Sequence, residues 1–261
     1  MAHSTPTPTQ PTNLAPHHEV TQIRVENLPS TQKLKGIMTK YLLKSKLHTM
    51  LPWKHTAWVA AGFPVELCYA LNIFPLHPEN SACISGARKV SQSLIETAES
   101  LGFSRDLCSY FKTNVGAVET GIKAGLGGID KPTFLASTNT ICDTHVKWFQ
   151  TQARRFGVPY FGFDIPSAVD GVNDERIEEY VDYVVDQFHD FFGFVETHTE
   201  QTLKEHRFFE ILQKSDRLAE LWQEIYEYRK ISPTPVAFQD TLAAIFPLVL
   251  LPGFGRRHPL L

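Results

Sequence analysis

Residues 132–164 read PTFLASTNTICDTHVKWFQTQARRFGVPYFGFD, and this stretch indicates how the chain is built. Its opening, Pro132–Ser137, predicts a short strand. A polar turn follows, and His145–Phe156 then predicts a helix that ends at Gly157. Residues 158–164 predict the next strand. A strand, a helix and a second strand in succession form the crossover that joins parallel strands, so the sequence predicts an α/β fold with a parallel sheet.

The preceding part of the chain continues this alternation of short strands and helices. Trp58–Gly62 and Ile73–Leu76 predict strands, and the helix between them starts at Pro64, a residue well tolerated in a first helical turn. Ser85–Leu101 predicts a single helix, which ends at Gly102. Strands on both sides of a helix again favour a parallel sheet.

Two features lie between that helix and the crossover. Ser104 has the side chain of an N-cap and predicts another helix, with Cys108 in or near its first turn. Gly116–Gly128 is rich in glycine, but no strand precedes it and no helix clearly follows. It therefore predicts a loop rather than a dinucleotide-binding turn.

The last third of the chain predicts helices. Asp174 starts a long helix with apolar residues at three- and four-residue spacing, and a second helix runs from about Gln201 to Tyr228. We expect four parts: a disordered tail (1–30), an α/β domain (31–170), a helical segment (171–246) and an irregular C-terminal end (247–261). The tail assignment depends on its few apolar residues.

Composition excludes several functional classes. The 261 residues carry a formal charge of -3, which provides no electrostatic footprint for nucleic acid or an anionic membrane. The lysines of residues 31–51 predict a solvated amphipathic helix in preference to a CoA-binding or membrane role. No apolar run is long enough to span a membrane, and the start lacks a secretory pattern. We therefore expect a cytoplasmic protein with reduced cysteines.

The four cysteines differ in their predicted settings. Cys108 and Cys142 are expected near helix N-termini, where backbone N–H groups favour the thiolate that an iron–sulfur cluster requires. Their spacing is not the compact spacing of a ferredoxin, so ordinary buried thiols remain an alternative. Cys68 lies in an apolar helical stretch and is expected in the core. Cys83 follows a turn and is ambiguous.

Two further side chains have both a functional and a structural interpretation. His145 has metal-pair spacing with Cys142, which makes a zinc site an alternative, although only two ligands are local. Glu66 lies at a helix start, where a carboxylate interacts favourably with the helix dipole. In the functional interpretation, its carboxylate faces the crevice in which a cluster would bind.

An ordered series of short motifs resembles the subunits of 2-hydroxyacyl-CoA dehydratases and benzoyl-CoA reductases, the D-component type. The series covers about residues 50–246, and no single motif is decisive. Its members are Gly62-Phe-Pro-Val-Glu-Leu67, Pro78-Glu-Asn80, Ala98-Glu99, Asp106-Leu-Cys-Ser-Tyr110, Asn139-Thr-Ile-Cys-Asp-Thr144, Lys147-Trp148, Val158-Pro159 and Asp164-Ile-Pro166.

This resemblance implies a fold and an activity. Family subunits have two α/β domains of the doubly wound type (Rossmann or flavodoxin-like) plus helices, and a heterodimer of related subunits forms the catalytic component. Each subunit typically holds a 4Fe–4S cluster by three cysteines. An ATP-hydrolysing iron–sulfur activator donates an electron. Dehydratases are lyases that then form a ketyl radical on the acyl-CoA thioester, whereas reductases are oxidoreductases that reduce the benzoyl-CoA ring. Both kinds are oxygen-sensitive anaerobic enzymes.

Carried over by position, Cys108 and Cys142 match two of the metal-binding cluster cysteines, and Glu66 falls in the segment that lines the substrate site. The third family cysteine belongs to a second α/β domain. No cysteine follows Cys142, and that domain is absent, so we expect a chain truncated at its C-terminus. Cys68 or Cys83 could supply a third thiolate. The alternatives are a cluster-free relative that binds a partner and a small zinc protein.

Overall fold

The computed structural model describes residues 27–122, 129–167 and 173–252. These ranges contain four strands and nine helices. The strands are β1 (His55–Val59), β2 (Ile73–Leu76), β3 (Phe134–Thr138) and β4 (Tyr160–Phe163). The helices are α1 (Pro29–Met50), α2 (Val65–Ala70), α3 (Pro78–Ala87), α4 (Ser91–Ser100), α5 (Ser109–Thr120), α6 (Asp143–Phe156), α7 (Asp174–Thr199), α8 (Glu205–Tyr228) and α9 (Phe238–Leu250).

The four strands form one parallel sheet in the order β2-β1-β3-β4. The chain runs from β1 outward to β2, returns across the sheet to β3, and continues to β4. Every residue of β2 and β3 is buried, so neither strand shows the alternation of a half-exposed strand. The predicted α/β class with a doubly wound parallel sheet is therefore confirmed.

Helices cover both faces of the sheet and create two apolar cores. One core packs α2, α7 and α8 against the sheet and includes Phe63, Phe134 and Phe191. The other packs α1, α5, α6 and α9 against the opposite face and includes Trp58 and Trp148. Burial of large aromatic side chains on both faces fixes the sheet between two helical layers.

The prediction of one helix over Ser85–Leu101 is wrong. The structure has two helices, α3 and α4, which are separated at Lys89, where the backbone adopts a positive φ of 59°. The predicted cap at Ser104 is also wrong, because α5 begins at Ser109 and Cys108 itself is the N-cap residue.

The predicted loop over Gly116–Gly128 is wrong at its start, because residues 116–120 continue α5. A Cβ atom at Gly116 would lie 2.0 Å from the carbonyl oxygen of Leu94 in α4. The glycine therefore permits two helices to approach closely rather than forming a turn. Residues 123–128 lie outside the described residues.

The helical segment contains the predicted long helices as α7 and α8. The boundary expected at 246/247 falls inside α9, so residues 247–250 are helical rather than irregular, and α1 already begins at Pro29 within the expected tail. Residues 1–26, 168–172 and 253–261 lie outside the described ranges. Among the described helices, none has the length and apolarity needed to cross a membrane.

Candidate functional site

The chain reverses direction across the sheet between β1 and β3, and ligands of open parallel sheets bind beyond the strand ends at such a point. The loops after these two strands are in contact there. Gly62 has a positive φ of 79°, and a Cβ on it would lie 3.0 Å from the side chain of Ile141. The crevice is therefore bounded by residues 60–62 after β1 and residues 139–142 after β3.

Cys108 and Cys142 occupy equivalent positions at the starts of two helices. Each is the N-cap residue of its helix, Cys108 of α5 and Cys142 of α6, and neither side chain caps the helix by a hydrogen bond. Both thiols are exposed. The predicted placement near helix N-termini is confirmed. The free backbone N–H groups at the N-termini of α5 and α6 favour a bound anion.

A buried polar contact joins the two helices that carry these cysteines. The Oδ1 atom of Asn114 in α5 accepts hydrogen bonds from Trp148 Nε1 and Gln152 Nε2 in α6, both at 2.8 Å. All three side chains are buried. Because a buried donor without a partner is costly, this contact stabilises the packing of α5 against α6.

A second contact orders the loop that leads to Cys108. The buried Lys112 Nζ lies 2.8 Å from Glu99 Oε1 and donates to the carbonyl oxygen of Arg105 at 2.7 Å. The ammonium therefore ties the end of α4, the loop and the first turn of α5 together. This contact gives Glu99, a member of the motif series, a structural role. It also orders the loop that positions Cys108.

A third cysteine, Cys83, is half-buried. It lies on α3, a helix that packs against α5. The pKa of Tyr110, in the first turn of α5, is raised above its ordinary value, and the largest cause is hydrogen bonding to Cys83. Cys108 is close enough to raise the pKa of Tyr110 further through its charge.

A buried acid–imidazole pair lies between α3 and α6. Glu79 Oε1 is 3.1 Å from His145 Nε2 and accepts a hydrogen bond from Ala61 N at 2.8 Å. Glu79 Oε2, His145 Nδ1 and both ring nitrogens of the neighbouring His77 are buried without a partner among the described residues. Burial lowers the pKa of His77 to about 4. Buried polar atoms are normally satisfied, so this group can bind a molecule that enters the crevice.

Sequence reasoning missed the pair formed by Glu79 and His145. Glu79 stood in the Pro78-Glu-Asn80 motif, and its position directly after β2 was the available signal, since residues at the carboxyl ends of parallel strands converge. His145 was considered only as a zinc ligand, whereas its Nε2 atom is directed to Glu79.

Glu66 and Cys68 occupy helix α2. Glu66 Oε1 accepts a hydrogen bond from Ser215 Oγ at 2.5 Å, which fastens α2 to α8. Cys68 is completely buried, and burial raises the pKa of its thiol. The prediction that Cys68 is a core residue is confirmed.

The loops after β3 and β4 are joined by other residues of the motif series. Asn139 Nδ2 donates to Asp164 Oδ1 at 2.6 Å, and Ile165 N donates to Asn139 Oδ1 at 2.9 Å. Gln187 and Tyr183 of α7 bind Asp164 from the other side. These polar residues fix the wall of the crevice.

Comparison with known proteins identifies the family. The sequence model described as 2-hydroxyglutaryl-CoA dehydratase, D-component, matches residues 60–254, a range that includes the crevice loops, both N-cap cysteines and the C-terminal helices. The chain belongs to this family. The resemblance inferred from the ordered motifs is therefore confirmed.

Three curated relatives illustrate the similarity of this D-component chain. It is 31% identical over 184 residues to the (R)-phenyllactyl-CoA dehydratase alpha subunit of Clostridium sporogenes, over 70% of this chain and 44% of the relative. It is 32% identical over 168 residues to the (R)-2-hydroxyisocaproyl-CoA dehydratase alpha subunit of Clostridioides difficile, over 64% of this chain and 40% of that relative. A benzoyl-CoA reductase subunit of Thauera aromatica is 31% identical over 117 residues, 44% of this chain and 27% of that protein. The chain spans less than half the length of these relatives.

The donor set is compatible with an iron–sulfur group in its chemistry. Cys108 and Cys142 present exposed thiols at the N-termini of α5 and α6, two helices that contact each other, and iron–sulfur clusters are held by thiolates. Within residues 27–122, 129–167 and 173–252, no three His, Cys, Asp or Glu side chains are arranged to hold a single metal ion.

Proposed function

We propose that this chain is an iron–sulfur subunit, or part of one, of an enzyme that dehydrates 2-hydroxyacyl-CoA thioesters. The observation that carries the proposal is the pair of exposed cysteines at the N-caps of α5 and α6, two helices that the hydrogen bonds of Asn114 join. The family relation supports the acyl-CoA substrate class, and two of the three relatives described above are named as dehydratase alpha subunits.

In this proposal Cys108 and Cys142 hold a 4Fe–4S cluster. When bound, such a cluster supplies single-electron transfer and a Lewis-acidic iron site. The first-turn N–H groups of α5 and α6 would favour its negative charge, and Lys112 keeps the loop before Cys108 in place. A homologous second subunit and an ATP-hydrolysing activator would complete the enzyme.

Proton handling is assigned to Glu79 rather than to the predicted Glu66. Glu66 Oε1 is bound by Ser215 at the junction of α2 and α8. Glu79 has one oxygen held by Ala61 N and His145, and its Oε2 atom is buried without a partner in the described part of the chain. That oxygen can take a proton from, or give one to, a hydroxyl or water in the crevice.

The test is the iron and acid-labile sulfide content per chain after anaerobic reconstitution. We expect the wild-type chain to bind both elements, and Cys108→Ser and Cys142→Ser each to lose most of them because each removes one thiolate. A Cys142→Ser chain that retained the wild-type iron content would contradict the assignment.

Two other outcomes distinguish the alternatives. Zinc without iron or sulfide would support a zinc site at Cys142 and His145. A wild-type chain without any metal that co-purifies with a full-length homologue would support a cluster-free subunit.

A further inference from the structure

We propose that His145 is a positioning residue for Glu79, the carboxylate to which proton handling is assigned above, so this inference rests on the proposed function. His145 acts through a hydrogen bond from Nε2 and not as a metal ligand. Its contribution is to fix which of the two carboxylate oxygens of Glu79 is available to a bound molecule.

The two donors on Glu79 Oε1 hold the carboxylate in one orientation. His145 Nε2 lies 3.1 Å from Oε1, and Ala61 N donates to the same oxygen at 2.8 Å. Glu79 and His145 are each only 8% exposed. Rotation of the carboxylate would leave both buried donors without an acceptor, which is costly. Oε2 is therefore the available oxygen, and it is buried with no partner among the described residues.

The imidazole ring is itself held in place by α6. It stacks on Trp148 at a centroid distance of 5.8 Å and an interplanar angle of 24°, and Phe149 meets it edge-on at 6.4 Å. These residues share a helix face at three- and four-residue spacing. Trp148 Nε1 in turn donates to Asn114 Oδ1. An unbroken series of contacts therefore runs from α5 through α6 to Glu79 on α3.

The same geometry argues against a zinc ligand at this position. An imidazole nitrogen that donates a hydrogen to a carboxylate has no lone pair for a metal. Cys142 is exposed, whereas the ring of His145 is buried beside Glu79, and His145 contacts the cysteine through its backbone N–H, which donates to Cys142 O. His145 thus links the start of α6 to the carboxylate on α3.

The experiment compares two substitutions of the imidazole. His145→Gln keeps a side-chain N–H donor, whereas His145→Leu fills the space without one. The matched control is His206→Leu, at an exposed position on α8. Thermal unfolding verifies that each variant folds. We expect all three to keep the wild-type iron content after anaerobic reconstitution, because Cys108 and Cys142 are intact.

The first readout is the pair of carboxylate stretching bands of Glu79 in the apo chain. The infrared difference against Glu79→Gln, made in each background, isolates these bands. Because the bands respond to the hydrogen bonds that the oxygens accept, we expect them to shift in His145→Leu. They should keep their wild-type positions in His145→Gln and His206→Leu, a rescue that a merely space-filling role would not produce.

The second readout is the hydrogen on the ring of His145 in the wild-type apo chain. Nitrogen-15 NMR of histidine-labelled protein reports it, and the signal is assigned by its loss in His145→Gln. We expect Nε2 to carry a hydrogen. A ring whose Nε2 lacks one would overturn the inference, and this result does not depend on the folding of His145→Leu.

The third readout is kinetic and uses the enzyme assembled with its partner subunit and activator. We expect His145→Leu to lower kcat by about 10-fold to 100-fold with little change in KM, because substrate still binds while proton transfer is misaligned. His145→Gln should recover most of kcat.

The outcomes separate this inference from the proposed function. Unshifted carboxylate bands in His145→Leu would overturn the positioning role and leave the iron-binding assignment intact. Loss of iron in both His145 variants would make the ring a metal ligand and would also overturn it. A wild-type chain that binds no iron would contradict the proposed function, whereas the infrared and NMR results on the apo chain would still decide the contact between His145 and Glu79.

Discussion

At the scale of single residues, Asn114 links the fold to the site, because one side-chain oxygen satisfies two buried donors of the neighbouring helix. Asn114→Leu keeps the size of the side chain but leaves Trp148 Nε1 and Gln152 Nε2 without their acceptor. We expect the free energy of unfolding to fall by about 2–4 kcal/mol, measured by urea denaturation, and iron binding to weaken.

The control is Gln223→Leu, an exposed position on α8, for which we expect a change within about 0.5 kcal/mol. An Asn114→Leu chain as stable as this control would show that the contact between α5 and α6 does not hold the two N-caps together.

The placement of Cys108 and Cys142 could be predicted from sequence because a turn before a helix is a local feature. The partner of Glu79 could not be predicted in this way. The contact of Glu79 with His145 crosses between two helices, and a single sequence carries no periodic signal for such a pair. The local sequence around a carboxylate that follows a strand does not show whether this group contacts water or an imidazole ring.

At the scale of elements, α7 has two unlike halves. Val181 in the first half is 53% exposed, whereas Phe191 in the second half is completely buried in the core. We expect Val181→Ser to change the free energy of unfolding by less than about 0.5 kcal/mol and Phe191→Ala to lower it by about 3–5 kcal/mol. Chemical denaturation of the two variants measures the difference, and equal effects would show that the first half is packed.

The same helix shows the limit of periodicity. The three- and four-residue spacing correctly predicted a helix from Asp174, but spacing cannot tell which half meets the core. Ser85–Leu101 is the converse case, because its apolar pattern continues across a break at Lys89 that depends on one positive φ angle. Strand–helix–strand succession was more informative, since it correctly predicted the parallel sheet.

At the scale of the whole molecule, stability should depend on acidity through His77. Burial lowers its pKa to about 4 from an ordinary value of 6.5, while Glu79 opposes the shift. The folded chain keeps the ring neutral, whereas the unfolded chain protonates it below pH 6.5. His77 therefore leaves the free energy of unfolding at its full value above pH 6.5. As the pH falls to 4, the free energy of unfolding decreases by about 3 kcal/mol because only the unfolded chain takes up the proton.

Urea denaturation across pH 4–7 tests this dependence. The wild-type chain and the exposed control His206→Gln should both lose stability on acidification, and His77→Leu should lose less because position 77 no longer titrates. An unchanged slope in His77→Leu would assign the acid sensitivity to other groups, such as His48, whose pKa burial also lowers to about 4.

The single oxygen of Asn114 also has a thermodynamic consequence. A group held at the ends of α5 and α6 can bind tightly only while the helices keep their spacing, and the spacing is more favourable while the group is bound. The two equilibria are linked, and each must strengthen the other by the same free energy. Binding of a group at the N-termini of α5 and α6 and packing of these helices in the interior would therefore be coupled. The coupling free energy could be measured from the binding affinity or from the stability of the fold.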